Sequence, residues 1–244
     1  MPIGFPLANR VLLCINLLCR EEKMNLETEP YSDQVRQWPT SGRHILAQYD
    51  IETIIVYQAY RQEIGDFAVR HGYFGGEFSY NRMSWIKPNF LWMMYRSDWG
   101  QSQGQEVVLG IRLRRTFFDL LLEQAVPSSF VPELFENHDA WKAAVAKSDV
   151  RLQWDPDHDP NGGKCERRAV QLGLRGKALE SYGKNEIVEI IDMRDFVAQQ
   201  REFAGEWKSG KLNTPVENVY IPNTKFALTN VGLDQFRDTP ENRM

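Results

Sequence analysis

Cysteine is scarce in this chain: Cys14, Cys19 and Cys165 are the only three in 244 residues. Three thiols form no paired framework, and Cys14 and Cys19 lack zinc-knuckle spacing and have no histidine beside them. A reducing, cytoplasmic setting is the expectation. Long apolar runs are missing too, none approaching the ~20 residues a bilayer-spanning helix needs, so no membrane partner is expected. A formal net charge of −4 excludes a whole-surface basic field for nucleic acid, though a local basic cleft is compatible with it. No Walker loop, dinucleotide glycine signature, Cys-x-x-Cys motif or nucleophile elbow occurs. No repeat, low-complexity run or flexible linker divides the chain. The residues present, 42% hydrophobic and 25% charged, are those of a globular protein.

The amino-terminal segment differs from the rest. Val11 to Cys19 is mostly apolar and follows Arg10, as a signal peptide would. Asn16 interrupts it, and Glu21, Glu22 and Lys23 follow without a small-residue cleavage site. Residues 1–23 are therefore expected to be an extension, with Met24 opening the domain. Residues 24–230 are expected to form one domain, and 231–244 a polar tail.

Within the domain, β-branched and aromatic residues predict a buried strand over Thr53 to Ala59. Apolar spacing predicts a helix over Gln62 to Val69. Phe90 to Tyr95 fits a buried strand or a short helix, and its length does not separate them. A strand is expected over Glu106 to Leu113, then helices over Thr116 to Ala125 and within Val131 to Ala146. Val150 to Trp154 reads as a short strand and Asp155 to Gly163 as a loop. Arg167 to Leu174 reads as a strand or helix start, and Gly176 to Tyr182 as a helix. Ile187 to Ile191 reads as a strand, and Met193 to Trp207 as a helix capped by Asp192. The sum is a single α+β domain whose mixed or antiparallel sheet is flanked by helices.

The segment Trp85 to Trp99 holds the candidate site. Trp85, Phe90, Trp92, Tyr95 and Trp99 surround Lys87 and Arg96. Aromatic rings supply apolar surface, and their faces attract cations. Trp92 and Met93 read as core. Arg96 and Ser97, before a turn, and Lys87, fixed by Pro88, read as ligand-binding. Arg61, at the end of a strand, offers a planar fork for phosphate or carboxylate, or pairs with Glu63 or Asp66. Trp154-Asp155-Pro156-Asp157-His158-Asp159-Pro160 superficially suggests a metal loop. It lacks the glycine and distal glutamate of a calcium loop, so a rigid turn without metal is expected. His158 is a candidate general base. Arg168 adds a cation near it in sequence.

Long blocks resemble one family. Trp38 to Gly42, Val56 to Arg61, Trp85 to Ser97, Arg151 to His158 and Arg168 to Leu174 are similar to the domain of unknown function 4291 family. The resemblance covers most of the chain from about Tyr31 and implies the domain without implying an activity.

The leading expectation is an enzyme acting on a nucleotide-like, phosphate-bearing ligand. Arg61, Lys87 and Arg96 would hold the anion, while Tyr60, Trp85 or Tyr95 would stack on a base; Ser97 and Arg168 are further ligand-binding candidates. Glu106 and His158 are the candidate catalytic groups. A sharper version is ADP-ribosyl transfer from NAD, by analogy with enzymes using an arginine, a serine and a glutamate in that order. Arg61, Ser84 or Ser97, and Glu106 supply the order. The alternative is a non-catalytic module for RNA or a partner protein.

Overall fold

The structure is a computed structural model and describes residues 26–233. Two sheets carry the fold. The first has three antiparallel strands in the order β10 (Ile187–Asp192), β6 (Val107–Arg114), β4 (Thr53–Tyr60). The second is five-stranded and mixed. Its path is β2 (Gly42–Arg43), β9 (Lys164–Leu174), β8 (Val150–His158), β7 (Val126–Pro127), with β5 (Ser84–Ile86) also pairing antiparallel with β9. Two short ladders, β1 (Thr28–Pro30) with β11 (Asn213–Pro215) and β3 (Leu46–Ala47) with β12 (Asn218–Val219), tie the late chain to the early chain. The chain is thus a single α+β domain.

β4 explains the two-sided core. Its side chains alternate, as a strand requires. Ile54 and Val56 enter one apolar cluster, while Ile55 and Tyr57 enter the other. The first cluster takes α4 (Arg115–Gln124), α6 (Gly176–Lys184) and the apolar faces of β8 and β9. The second takes α3 (Phe90–Ser97), Val197 and Ala204 of α7 (Arg194–Ala204), Tyr31 of α1 (Tyr31–Gln34) and Trp38. α2 (Gln62–His71), α5 (His138–Lys147) and α8 (Lys225–Val231) complete the helices in chain order.

Several boundaries differ from the sequence expectation. The residues after Trp154 are not a loop: β8 runs through Asp155 to His158, and β9 begins at Lys164. Proline at 156 is tolerated because β7 covers only Arg151 and Leu152, which leaves that edge of β8 open. The helix expected within Val131 to Ala146 starts at His138, where Asn137 Oδ1 accepts the Ala140 N–H at 2.9 Å. Asp192 acts one residue outside the cap of α7, accepting the Arg194 N–H at 3.1 Å. Val231 and Leu233 are buried, so packed chain continues past residue 230. Cys14, Cys19 and the expected extension lie outside the described residues. Among the described residues, no helix is long and apolar enough to cross a membrane.

Candidate anion site at the junction of two sheets

Lys87 stands where the two sheets meet. Its N–H donates to Tyr57 O at 3.3 Å, and the Tyr57 N–H donates to Lys87 O at 2.6 Å. Tyr57 belongs to β4, and Lys87 directly follows β5, so this bridge joins one sheet to the other. Pro88 fixes the next φ. α3 then starts on an unusually well-held end. Asn89 Oδ1 accepts the Trp92 N–H at 2.7 Å, and the buried Glu217 accepts the Phe90 N–H at 2.6 Å and Asn89 Nδ2 at 3.0 Å. These caps decide for a helix where periodicity left the choice open. Arg96 projects from that helix.

Lys87 and Arg96 line one cavity of about 150 Å³ with Gln58, Tyr60, Ser84, Trp85, Met93 and Gln105. Lys87 is only 5% exposed. Burial pulls its ammonium down to about 8, Arg96 pushes the same way, and Asp155 opposes both. Among the described residues, neither Lys87 nor Arg96 has an ion-pair or hydrogen-bond partner for its side chain. The nearby Asp155 is engaged, accepting from Gln153 Nε2 at 2.8 Å and Gln171 Nε2 at 2.7 Å.

A hydrogen-bond chain forms the other wall. Tyr182 O–H donates to Gln58 Oε1 at 2.6 Å, and Gln58 Nε2 donates to Ser84 Oγ at 2.8 Å and Trp85 O at 3.0 Å. Tyr60 Oη lies 2.9 Å from Ser84 Oγ. When Tyr60 donates, both acceptor positions of Ser84 are filled and its own proton remains to donate into the cavity. The Trp85 ring lies against Gly173, where a Cβ would come within 3.0 Å of it and 2.7 Å of Met83 Sδ. Glycine at 173 is what lets this wall close.

Lys87, Arg96, Tyr60 and Trp85 therefore line one cavity. The others do not join them. Arg61 is a correction to the expected three-cation cleft: it is half exposed, pairs with Glu77 at 2.8 Å and Glu63 at 3.7 Å, and does not line the cavity. Glu106 is exposed and accepts the Gly104 N–H at 2.7 Å, closing a turn. Ser97 is fully buried, donating to Met93 O at 2.9 Å at the helix end. Arg168 is exposed on β9 opposite Arg43. Tyr95 lines a different, larger cavity, its ring 3.6 Å from that of His158.

His158 is 2% exposed, and burial lowers its pKa. Both ring nitrogens lack a hydrogen-bond partner among the described residues. It lies against Trp92 and Tyr95, away from the Lys87 cavity, so it is not placed as a base for a ligand there. Asp157 is likewise no turn residue. It is a buried strand carboxylate paired with Arg167 at 2.5 Å. Among the described residues, no group of three or more His, Cys, Asp or Glu side chains is gathered for a metal ion. Gln58 and Gln105 were missed. Gln58 carried a signal: it is the lone amide in the otherwise apolar run Thr53–Tyr60.

Fold and site together define an α+β domain with an unpaired cationic cavity at a sheet junction. The chain belongs to the family described as domain of unknown function (DUF4291), whose model matches residues 44–220 and so includes every residue of that cavity. A comparison with curated proteins finds no match.

Proposed function

We propose that this protein binds a phosphate-bearing, nucleotide-like ligand whose anionic group is received by Lys87, Arg96 and Ser84. One observation carries the reading: a lysine that is 95% removed from solvent faces a cavity beside a second cation, and among the described residues neither forms an ion pair with a carboxylate. A buried charge without a partner is costly. An incoming phosphate offsets that cost, taking charge-assisted bonds from ammonium, guanidinium and hydroxyl at once. Arginine contributes a planar fork and lysine a point charge, a division of labour suited to phosphate oxygens.

Transfer of ADP-ribose from NAD rested on Arg61, a serine and Glu106 acting together. Arg61 and Glu106 are engaged elsewhere, at Glu77 and Gly104. NAD accordingly enters as one ligand to be compared. The test is thermal stabilisation by inorganic phosphate, tripolyphosphate, ATP and NAD, each with the wild type and Lys87→Met. A ligand at 100 times its Kd stabilises by roughly 2.7 kcal/mol. Stabilisation of the wild type alone supports the reading, and equal responses of both proteins refute it. Preference for an oligoribonucleotide over every mononucleotide would favour the RNA-binding alternative.

A further inference from the structure

We infer that the larger cavity on the other side of Arg96 seats the ligand's aromatic base, with the Tyr95 ring as stacking surface and Asp98 and Asn161 at the base edge. This rests on the reading of Lys87 and Arg96 as an anion seat and extends it. Volume is the first argument. Sites that enclose a whole small molecule span roughly 300–1,000 Å³. The Lys87 cavity, at about 150 Å³, suits an anionic group and little more. The neighbouring cavity measures about 550 Å³, and Arg96 lines both. A nucleotide with its phosphate at Lys87 therefore has an adjoining space large enough for the rest of it.

The helix explains the shared arginine. Leu91, Met94, Tyr95 and Asp98 recur at the spacing of one helical stripe and line the larger cavity. Met93 and Arg96 lie off that stripe and reach the smaller one.

Tyr95 is held for stacking. It is 44% exposed, yet its ring is nearly parallel to the buried rings of His158, at 10°, and Trp92, at 14°. Its plane is set from behind while part of its surface stays open. The turn between β8 and β9 lines the same cavity, with Gly162 beside the Tyr95 ring. Asp159 Oδ1 holds that turn by accepting the Asn161 N–H at 2.9 Å and the Gly163 N–H at 2.8 Å. Trp99 Nε1 donates to Pro160 O at 3.3 Å, and both residues line the cavity. The Asp98 carboxylate and the Asn161 side-chain amide have no partner among the described residues. An acceptor-only carboxylate beside an amide suits a base edge rich in N–H donors.

The experiment measures binding of tripolyphosphate, ATP and GTP to the full chain by titration calorimetry. Variants are Tyr95→Leu, which keeps apolar cover over His158 but removes the π-face, and Asp98→Asn. Asn tolerates the left-handed conformation found at 98, where φ is 50°. Wild type should bind ATP or GTP more tightly than tripolyphosphate. Tyr95→Leu should lose at least tenfold in nucleotide affinity and less than twofold in tripolyphosphate affinity. Asp98→Asn should change the ratio of GTP to ATP affinity by threefold or more. If folded Tyr95→Leu keeps wild-type nucleotide affinity, or loses both ligands equally, the base subsite is refuted while the anion seat stands. Should Tyr95→Leu not fold, an unchanged GTP-to-ATP ratio in Asp98→Asn refutes it instead. If wild type binds none of the three, the anion seat fails and the base subsite with it.

Discussion

Tyr57 and Lys87 exchange both of their backbone hydrogen bonds across the boundary between the two sheets. The bridge leaves the Lys87 main chain no freedom to carry its ammonium out to water. The consequence is measurable. A base with a depressed folded pKa binds fewer protons folded than unfolded between the two pKa values, so stability rises with pH across that window. For Lys87 the window runs from about 8 to 10.5. The shift corresponds to a penalty on the order of 3 kcal/mol below pH 8. Lys87→Met should remove this rise, equal or exceed wild type in urea unfolding at pH 7, and abolish phosphate binding. Wild-type phosphate affinity should fall as pH passes 8. A variant much less stable at pH 7 would mean that Lys87 has a partner in solution.

Glu217 titrates in the opposite sense. It is 3% exposed, and burial pushes its carboxyl up to about 8, with Asp157 adding to the effect. The Phe90 and Asn89 donors and Arg167 oppose it. A raised folded pKa gives stability that is full below the unfolded value of 4.5 and is lost as pH rises through 8. Unfolding free energy should therefore decline between pH 4.5 and 8, by up to about 5 kcal/mol from this group. Glu217→Gln should flatten that decline while costing about 1 kcal/mol at pH 5, because its amide no longer accepts from Asn89. Denaturation of both proteins at half-unit pH steps checks it. Parallel profiles would show that Glu217 is ionised throughout.

Asp157 and Arg167 form a buried pair that also anchors the early chain. Arg167 Nη1 donates to Pro39 O at 2.7 Å, and its guanidinium lies 5.2 Å from the Trp38 ring centroid. Removing one partner leaves a buried charge. Arg167→Met should cost about 3–5 kcal/mol. The double variant Asp157→Leu with Arg167→Met should recover much of that loss, since replacing both charges by apolar groups is often near neutral. A double-mutant cycle in urea measures the coupling. Additive losses would mean that packing rather than charge holds this node.

What the sequence disclosed follows the range of the forces involved. β4 and β6 were legible because alternation and β-branching are local. So was the burial of Trp92 and Met93, which read as core from their apolar surroundings and are buried. The choice of helix for Phe90–Ser97 was not legible, because Glu217, one of its caps, lies 127 residues away. β8 was cut short because Pro156 and three aspartates spell a turn locally. Only the short reach of β7 shows that Pro156 faces an open edge. Arg61 and Arg96 looked alike, each a cation beside tyrosine. Glu77, which pairs with Arg61, is brought there by the turn after α2, and no pattern in the strand foretells it.

That difference between two arginines gives the last prediction. Arg96 lines the cavity and has no side-chain partner among the described residues, whereas Arg61 is satisfied at the surface by Glu77. Arg61→Ala should leave tripolyphosphate affinity within about twofold and stability within about 1 kcal/mol, the usual worth of an exposed pair. Arg96→Lys keeps the charge and loses the fork. If Arg96 grips phosphate oxygens bidentately, that change alone should weaken binding, and Arg96→Ala should weaken it further. All three variants should fold, because Arg61 and Arg96 are both exposed and Arg96 bonds no other side chain among the described residues. Calorimetric titration of the three variants ranks them. Equal losses in Arg61→Ala and Arg96→Ala would show a diffuse positive field in place of a seat. Full affinity in Arg96→Lys would show that charge suffices and that the fork makes no paired bonds.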